Sequence, residues 1–348
     1  MSCIRRGALL RATTALSMAA TAAQAQEGDF LGTITLGESK RAVQTRTATP
    51  LTVIDRRQID DRQADTIAEL IDAVPGVALV NGSTPQGSGI SIRGFGANGT
   101  FGTDQKVRIL VDGATVGGEE IYRVGTQLFT APALYREVEV IRGPVGSFEY
   151  GTGIVGGVVR LETKDASDFT GGTPGLAFDQ TLDAWSNGSG FASSSILAWQ
   201  PTERAEVLLS YTWREQGNQE AGDGDEIGNS ACALPSWLAK ARLTFGQDDA
   251  HTLSVSCTET TSAESDVPYD TFLVTGGTFG NVDRDILSQT AALSYGCNPA
   301  GRDLIDLEMT LSHANQEIDQ DYVPRSSECA DGPPFPFGFP FPPGAWAS

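Results

Sequence analysis

Few residues in this 348-residue chain are equipped for chemistry: histidine occurs twice, at His251 and His313, and cysteine five times. Cys3, Cys232, Cys257, Cys297 and Cys329 form no CxxC or CxxH spacing, so the residues offer no zinc set and no other metal site is expected. Two GxGxxG matches occur, Gly94/Gly96/Gly99 and Gly151/Gly153/Gly156. A dinucleotide needs such glycines to open a helix. The first match runs instead into Thr100-Phe101-Gly102-Thr103 and the second into the extended run VVRLET, so no cofactor is expected. The acidic run Asp223-Gly224-Asp225-Glu226 lacks the full spacing of an EF-hand and reads as a solvated loop. No Ser-His-Asp or Cys-His set is suggested, and the chain does not read as an enzyme. Arg93 and Arg142 each precede a glycine at the end of a β-prone run, which by itself reads as two solvated surface arginines. The planar guanidinium fork grips carboxylates bidentately in confined spaces.

The elements that position these arginines centre on Arg136–Lys164, REVEVIRGPVGSFEYGTGIVGGVVRLETK. EVEVI alternates, RGPVGS breaks, and VGGVVRLET extends again, giving strand, glycine turn and strand. Glycines at 143, 146, 151, 153, 156 and 157 suit backbone passing close to other backbone. The formal net charge of −20 weighs against nucleic-acid partners. No apolar run beyond residue 25 approaches the roughly 18 residues of a spanning helix, a test that β-barrels escape.

This stretch closely resembles the end of the plug domain of TonB-dependent outer-membrane receptors, whose signature is an EVIRGP…YG…GGV run. Ile92-Arg93-Gly94-Phe95-Gly96 and Ile109-Leu110-Val111-Asp112-Gly113 stand upstream in the family's order. The resemblance implies an α+β plug domain over 51–165, followed by a transmembrane antiparallel β-barrel. It also implies that Arg93 and Arg142 point toward barrel carboxylates and lock the plug in the lumen. Phe95, Phe101, Tyr122 and Phe129 lie on or near the outward loops and are expected to face ligand.

Ahead of the plug, residues 1–25 carry a basic start, an apolar stretch and Ala23-Gln24-Ala25, the pattern of a secretory signal peptide cleaved before Gln26. Residues 26–50 are polar, with a β-prone island at Thr33, Ile34, Thr35 and Leu36. Beside a plug, that island resembles a TonB box, which would pair by strand addition with the periplasmic energy transducer TonB. Within the plug, Asp65 is the expected N-cap of a helix that Pro75-Gly76 stops.

Residues 175–324 change to alternating strands, about seven segments of roughly ten residues each. In Ala205–Arg214, Val207, Leu209, Tyr211 and Trp213 share one face, while Leu208 breaks the polar face. Short turns alternate with long acidic loops at 216–235 and 260–285, as in barrels that meet outer-membrane lipid. His251 and His313 are expected at strand ends on the lipid side. Residues 325–348 are rich in proline and phenylalanine and unrelated in texture, which reads as a frameshifted or prematurely stopped end. The resemblance implies uptake of an iron compound. Haem or a haem protein is the first expectation, on the likeness of LGTITLGESKR, TDQKVRILVDG and LFTAPALYREVEVIRG to the haem branch. A ferric-siderophore receptor, a truncated relic and a plug acting alone as a binding module stay open.

Overall fold

The computed structural model describes residues 51–62, 64, 66–80, 89–96, 106–116, 130–224, 226–227, 230–269, 281–300 and 306–323. The signal and TonB-box segments, Phe101, Tyr122, Phe129 and the 325–348 tail lie outside the described residues.

The first half runs β1 (Leu51–Asp55), α1 (Arg56–Arg62), α2 (Ile67–Asp72), β2 (Val77–Val80), β3 (Gly89–Ile92), β4 (Phe95–Gly96), β5 (Val107–Val111), β6 (Ala114–Val116), β7 (Tyr135–Arg142), α3 (Ser147–Tyr150), β8 (Gly157–Thr163) and α4 (Ser167–Thr170). One sheet has the order β1-β7-β8-β5-β6, and a second has β2-β3-β4. β5 and β8 pair in parallel; the other neighbours are antiparallel.

Local chemistry explains these boundaries. The Gln58 N–H donates to Asp55 Oδ1 at 3.0 Å while the Asp55 N–H donates to Gln58 Oε1 at 3.3 Å, a capping box that starts α1. The cap of α2 is Thr66 rather than the expected Asp65: its Oγ1 accepts the Glu69 N–H at 3.1 Å. A Thr-x-x-Glu box places the oxygen one residue closer to the first turn. Two motif dipeptides form hairpin turns. Val111 pairs with Ala114, leaving Asp112-Gly113 at φ 46° and 84°, and Ile92 pairs with Phe95, leaving Arg93-Gly94 at φ 53° and 87°. Positive φ at both positions matches the twist of the strands, which is why glycine follows the polar residue.

Glycine density in the central stretch reflects backbone proximity at 156 and 157. A Cβ at Gly157 would stand 2.2 Å from the Ile141 carbonyl, and one at Gly156 would stand 2.7 Å from Phe95 Cβ.

The second half is a wall of β9 (Gly175–Trp185), β10 (Gly190–Thr202), β11 (Ala205–Gln216), β15 (Ser236–Phe245), β16 (His251–Pro268), β17 (Asn281–Cys297) and β18 (Leu307–Tyr322), each antiparallel to the next. Between β11 and β15 lie the small hairpin β12 (Gln219–Glu220) and β13 (Glu226–Ile227), and then β14 (Cys232–Ala233), which pairs with both β11 and β16. Seven long strands therefore stand where about seven segments were expected. β16, β17 and β18 reach 18, 17 and 16 residues, beyond the expected ten, and much of the anticipated 260–285 loop is strand.

The wall is inverted relative to a soluble sheet. Leu209 and Tyr211 are 50% and 49% exposed, whereas Glu206, Ser210 and Thr212 on the other face are buried. Apolar side chains outward and polar ones inward are what lipid outside and a filled lumen inside require. Leu208, the exception in the sequence pattern, is buried and joins Ile196, Ala198 and Leu238 in one hydrophobic cluster with Ile54, Val138 and Leu161 of the first half. The apolar break in the wall's polar face is where the two halves seal together. His251 lies on the outward side, stacked between Phe245 and Tyr295 at 5.1 and 6.0 Å. His313 shares the parity of exposed Met309 and Leu311 but sits inside β18, because that strand continues to Tyr322.

Candidate functional site

Three constellations stand out, two where the two halves meet and one, around Arg93 and Arg142, whose hydrogen bonds to Gly76 and Pro75 lie within the first half. The most buried centres on Asp165, just past β8 and 2% exposed in its side chain. Lys240 Nζ of β15 approaches Asp165 Oδ1 at 2.9 Å and donates to the Thr163 carbonyl at 3.1 Å. Arg242 of β15 and Arg136 of β7 reach Asp165 Oδ2 at 3.2 and 3.0 Å. Glu206 of β11 pairs with Arg242 and accepts the Ser167 N–H, the latter at 2.6 Å. Burial works against the Asp165 charge, but Lys240, Arg136 and Arg242 outweigh it and hold the carboxyl below the usual carboxylate range. Burial likewise opposes the Arg136 charge, and Asp165, Glu162 and Asp168 together raise its pKa.

The second constellation is Arg93 and Arg142. Arg93 stands on the β3–β4 turn, its N–H donating to the Gly76 carbonyl at 2.8 Å. Its Nη1 would lie 3.2 Å from a Cβ at Gly143, so glycine there clears its path. Arg142 ends β7 and donates from Nη1 to the Pro75 carbonyl at 2.9 Å. Partial burial lowers the Arg142 pKa, and the neighbouring Arg93 charge adds to the effect. Phe95 follows the same turn and is 40% exposed. The fold thus gathers Arg93, Phe95 and Arg142, which lie 49 positions apart from first to last, around one corner.

The third is a cavity of about 680 Å³ between α1, residues 130–133 and Lys164 on one side and β9–β11 on the other. Arg56, Asp60, Lys164, Asp179, Asp183 and Arg214 supply its charged lining. Arg56 also covers the Phe169 ring at 4.1 Å and donates to the Asp168 carbonyl at 2.9 Å, fixing α4 to α1.

Residues 43–158 match the family model of the TonB-dependent Receptor Plug Domain. This part of the chain is similar to a TonB-dependent receptor plug. Relatives extend the likeness into the wall. The TonB-dependent heme receptor A of Haemophilus ducreyi is 31% identical over 195 residues, covering 54% of this chain and 24% of that protein. The Hemin receptor of Yersinia pestis is 26% identical over 277 residues, 77% of this chain and 38% of that protein. Among solved structures, the FrpB iron transporter from Neisseria meningitidis superposes with TM-score 0.66 at 21% identity, over 78% of this chain and 41% of that one. The Serratia marcescens hemophore receptor HasR, in complex with its hemophore HasA and heme, gives 0.65 at 23% identity, over 79% and 39%. The fold is thus a plug with part of a β-barrel. The chain spans from about a quarter to two-fifths of the length of these proteins. TonB-dependent receptors are outer-membrane β-barrel proteins, and the relatives are receptors and transporters rather than enzymes.

The sequence reading singled out the plug arginines and passed over the carboxylate clamp. A signal for it was present. Lys240 and Arg242 fall on the inward parity of β15, where a cation needs an anion, and Asp165, two residues past β8, supplies it.

Proposed function

We propose that this chain carries the plug and opening barrel strands of an outer-membrane receptor that imports an iron compound, with haem as the ligand. Residues 1–25 are the export signal, removed before Gln26. Thr33, Ile34, Thr35 and Leu36 add as a strand to TonB, and the pull is transmitted to β1, an edge strand of the plug sheet. Residues 51–165 act as the plug and 175–324 as barrel wall. Arg93 and Arg142 present paired guanidiniums to barrel carboxylates, and Phe95, with Phe101, Tyr122 and Phe129, meets ligand on the outer side.

The observation that carries this reading is the inverted wall sealed onto a plug: Leu209 faces outward while Leu208 packs into the plug's own core. Haem is favoured over a ferric siderophore because the heme and hemin receptors named above align across both halves.

The test is expression in a Gram-negative host stripped of its own haem and siderophore receptors. Growth on haem that is lost on deleting residues 33–36, with the chain in the outer-membrane fraction, supports the reading. Growth on a ferric siderophore alone shifts the ligand assignment. Outer-membrane localisation with no growth on either iron source defeats import by this chain.

A further inference from the structure

Lys164 is an unusual member of the plug–wall cavity. The residue is 6% exposed, its N–H donates to the Leu134 carbonyl at 3.0 Å, and its side chain lines the cavity. The other two cations of the lining are engaged. Arg56 pairs with Asp60 at 3.4 Å, and Arg214 lies 4.7 Å over the Trp185 ring and 3.3 Å from Gln216 Oε1. Among the described residues the Lys164 ammonium makes no hydrogen bond and no ion pair. Burial is the main influence on it and lowers its pKa; Asp60, Asp179 and Asp168 pull the other way without restoring the ordinary value. An ammonium so placed favours an anionic oxygen brought in from outside.

We propose that Lys164 seats a carboxylate of the transported iron compound between the plug and β9–β11, a station on its way through the lumen. The proposal rests on the import reading given above and adds the chemical group recognised and the place. The cavity falls within the range of small-molecule sites, about 300–1,000 Å³, and sets a cation beside the apolar side chains of Ile59 and Leu234. Its described lining contains no imidazole, thiolate, thioether or phenolate, the usual axial ligands of haem iron, although Asp60, Asp179 and Asp183 bring carboxylates. A haem compound would therefore be held by its peripheral carboxylate rather than through its iron, which suits passage more than storage. Asp179 and Asp183 on the facing strand limit the seat to one carboxylate at Lys164, because a second anion beside them would be repelled.

The test is footprinting of Lys164 on the full-length chain in detergent. Trinitrobenzenesulfonate, an anionic amine reagent, is applied at mildly alkaline pH and the labelled peptides are mapped with and without a competitor. The competitors are haem, haem dimethyl ester, which lacks free carboxylates, and citrate. Lys164 is expected to label and to be shielded by haem but not by the ester, slowing roughly tenfold at ten times the dissociation constant. Shielding by citrate without shielding by haem upholds the carboxylate seat and overturns haem as the ligand. Absence of Lys164 labelling, equal shielding by haem and its ester, or no shielding by any carboxylate overturns the seat itself.

Discussion

Asp165 and Lys240 meet at 2.9 Å across the seam between the plug and the barrel wall, with side chains 2% and 10% exposed. The pair joins a residue two positions past β8 to an inward position on β15, where Arg242 and Arg136 reach the same carboxylate. A buried pair contributes little beyond an apolar substitute, but removing one partner strands the other charge. Replacing Asp165 with Ala leaves the buried Lys240 without its carboxylate, while Arg242 keeps Glu206 and Arg136 keeps Glu162, at a cost of about 3 kcal/mol. The urea midpoint of refolded protein measures this, and K240M in the D165A background should recover part of the loss. Equal midpoints for D165A and the parent chain would remove the clamp from any account of plug retention.

The same carboxylate sets a pH dependence. Its folded pKa is depressed, so its stabilisation is fully present above the unfolded value of about 3.9 and is lost as pH falls through the folded value. The parent chain should therefore lose urea resistance on acidification below about pH 4, and Asp165→Asn should lose less over that interval. A parallel decline in both proteins would assign the acid sensitivity to other groups.

Much of this was legible in the chain. The plug motifs fall on turns and strands whose geometry demands their glycines, as at Asp112-Gly113, and the period-2 alternation of Ala205–Arg214 gave the wall its inside and outside. Missed features depend on contacts between distant segments. The helix Arg56–Arg62 has one buried residue, Ile59, so it leaves almost no apolar period to detect. Leu208 reads as an error of alternation until the plug core is seen against it. The Asp165 clamp joins positions 75 apart in sequence, and no local pattern announces it.

Lys164 supplies a prediction of opposite sign to Asp165. Its folded pKa is lowered by burial, so the stability cost of its charge is full below the folded value and fades as pH rises toward the unfolded value of about 10.4. Lys164→Met keeps the length of the stem and removes the buried charge, and should raise the thermal midpoint at neutral pH. A residue kept at a stability cost is expected to serve ligand rather than fold. A lowered midpoint in K164M would make Lys164 a structural cation and undercut its assignment as a ligand seat.

Two glycines of the signature stretch should respond differently to alanine. Gly157 lies against the Ile141 carbonyl, where a Cβ would stand at 2.2 Å, so G157A must separate β7 from β8. Gly153 has φ 88° but nothing within 4 Å of a built Cβ, so G153A meets only the left-handed penalty, about 1–2 kcal/mol. The urea midpoint should fall much further for G157A. Similar losses at the two sites would mean that backbone conformation, rather than close approach, governs the stretch.

Leu209 decides whether the wall faces lipid. It is 50% exposed on β11, between neighbours β10 and β15, with Ser210 buried on the inner face. In an aqueous sheet an exposed Leu→Arg change shifts stability by at most about 0.5 kcal/mol. Against hydrocarbon the same change costs about 2–4 kcal/mol near the bilayer midplane. The comparison is folding yield into phospholipid vesicles, followed by protection of the wall from added protease. L209R should fold poorly into vesicles while L209A inserts nearly as well as the parent, because alanine gives up apolar area without placing a charge in lipid. Equal insertion of L209R and L209A would place that face in water and remove the membrane-spanning role of β11.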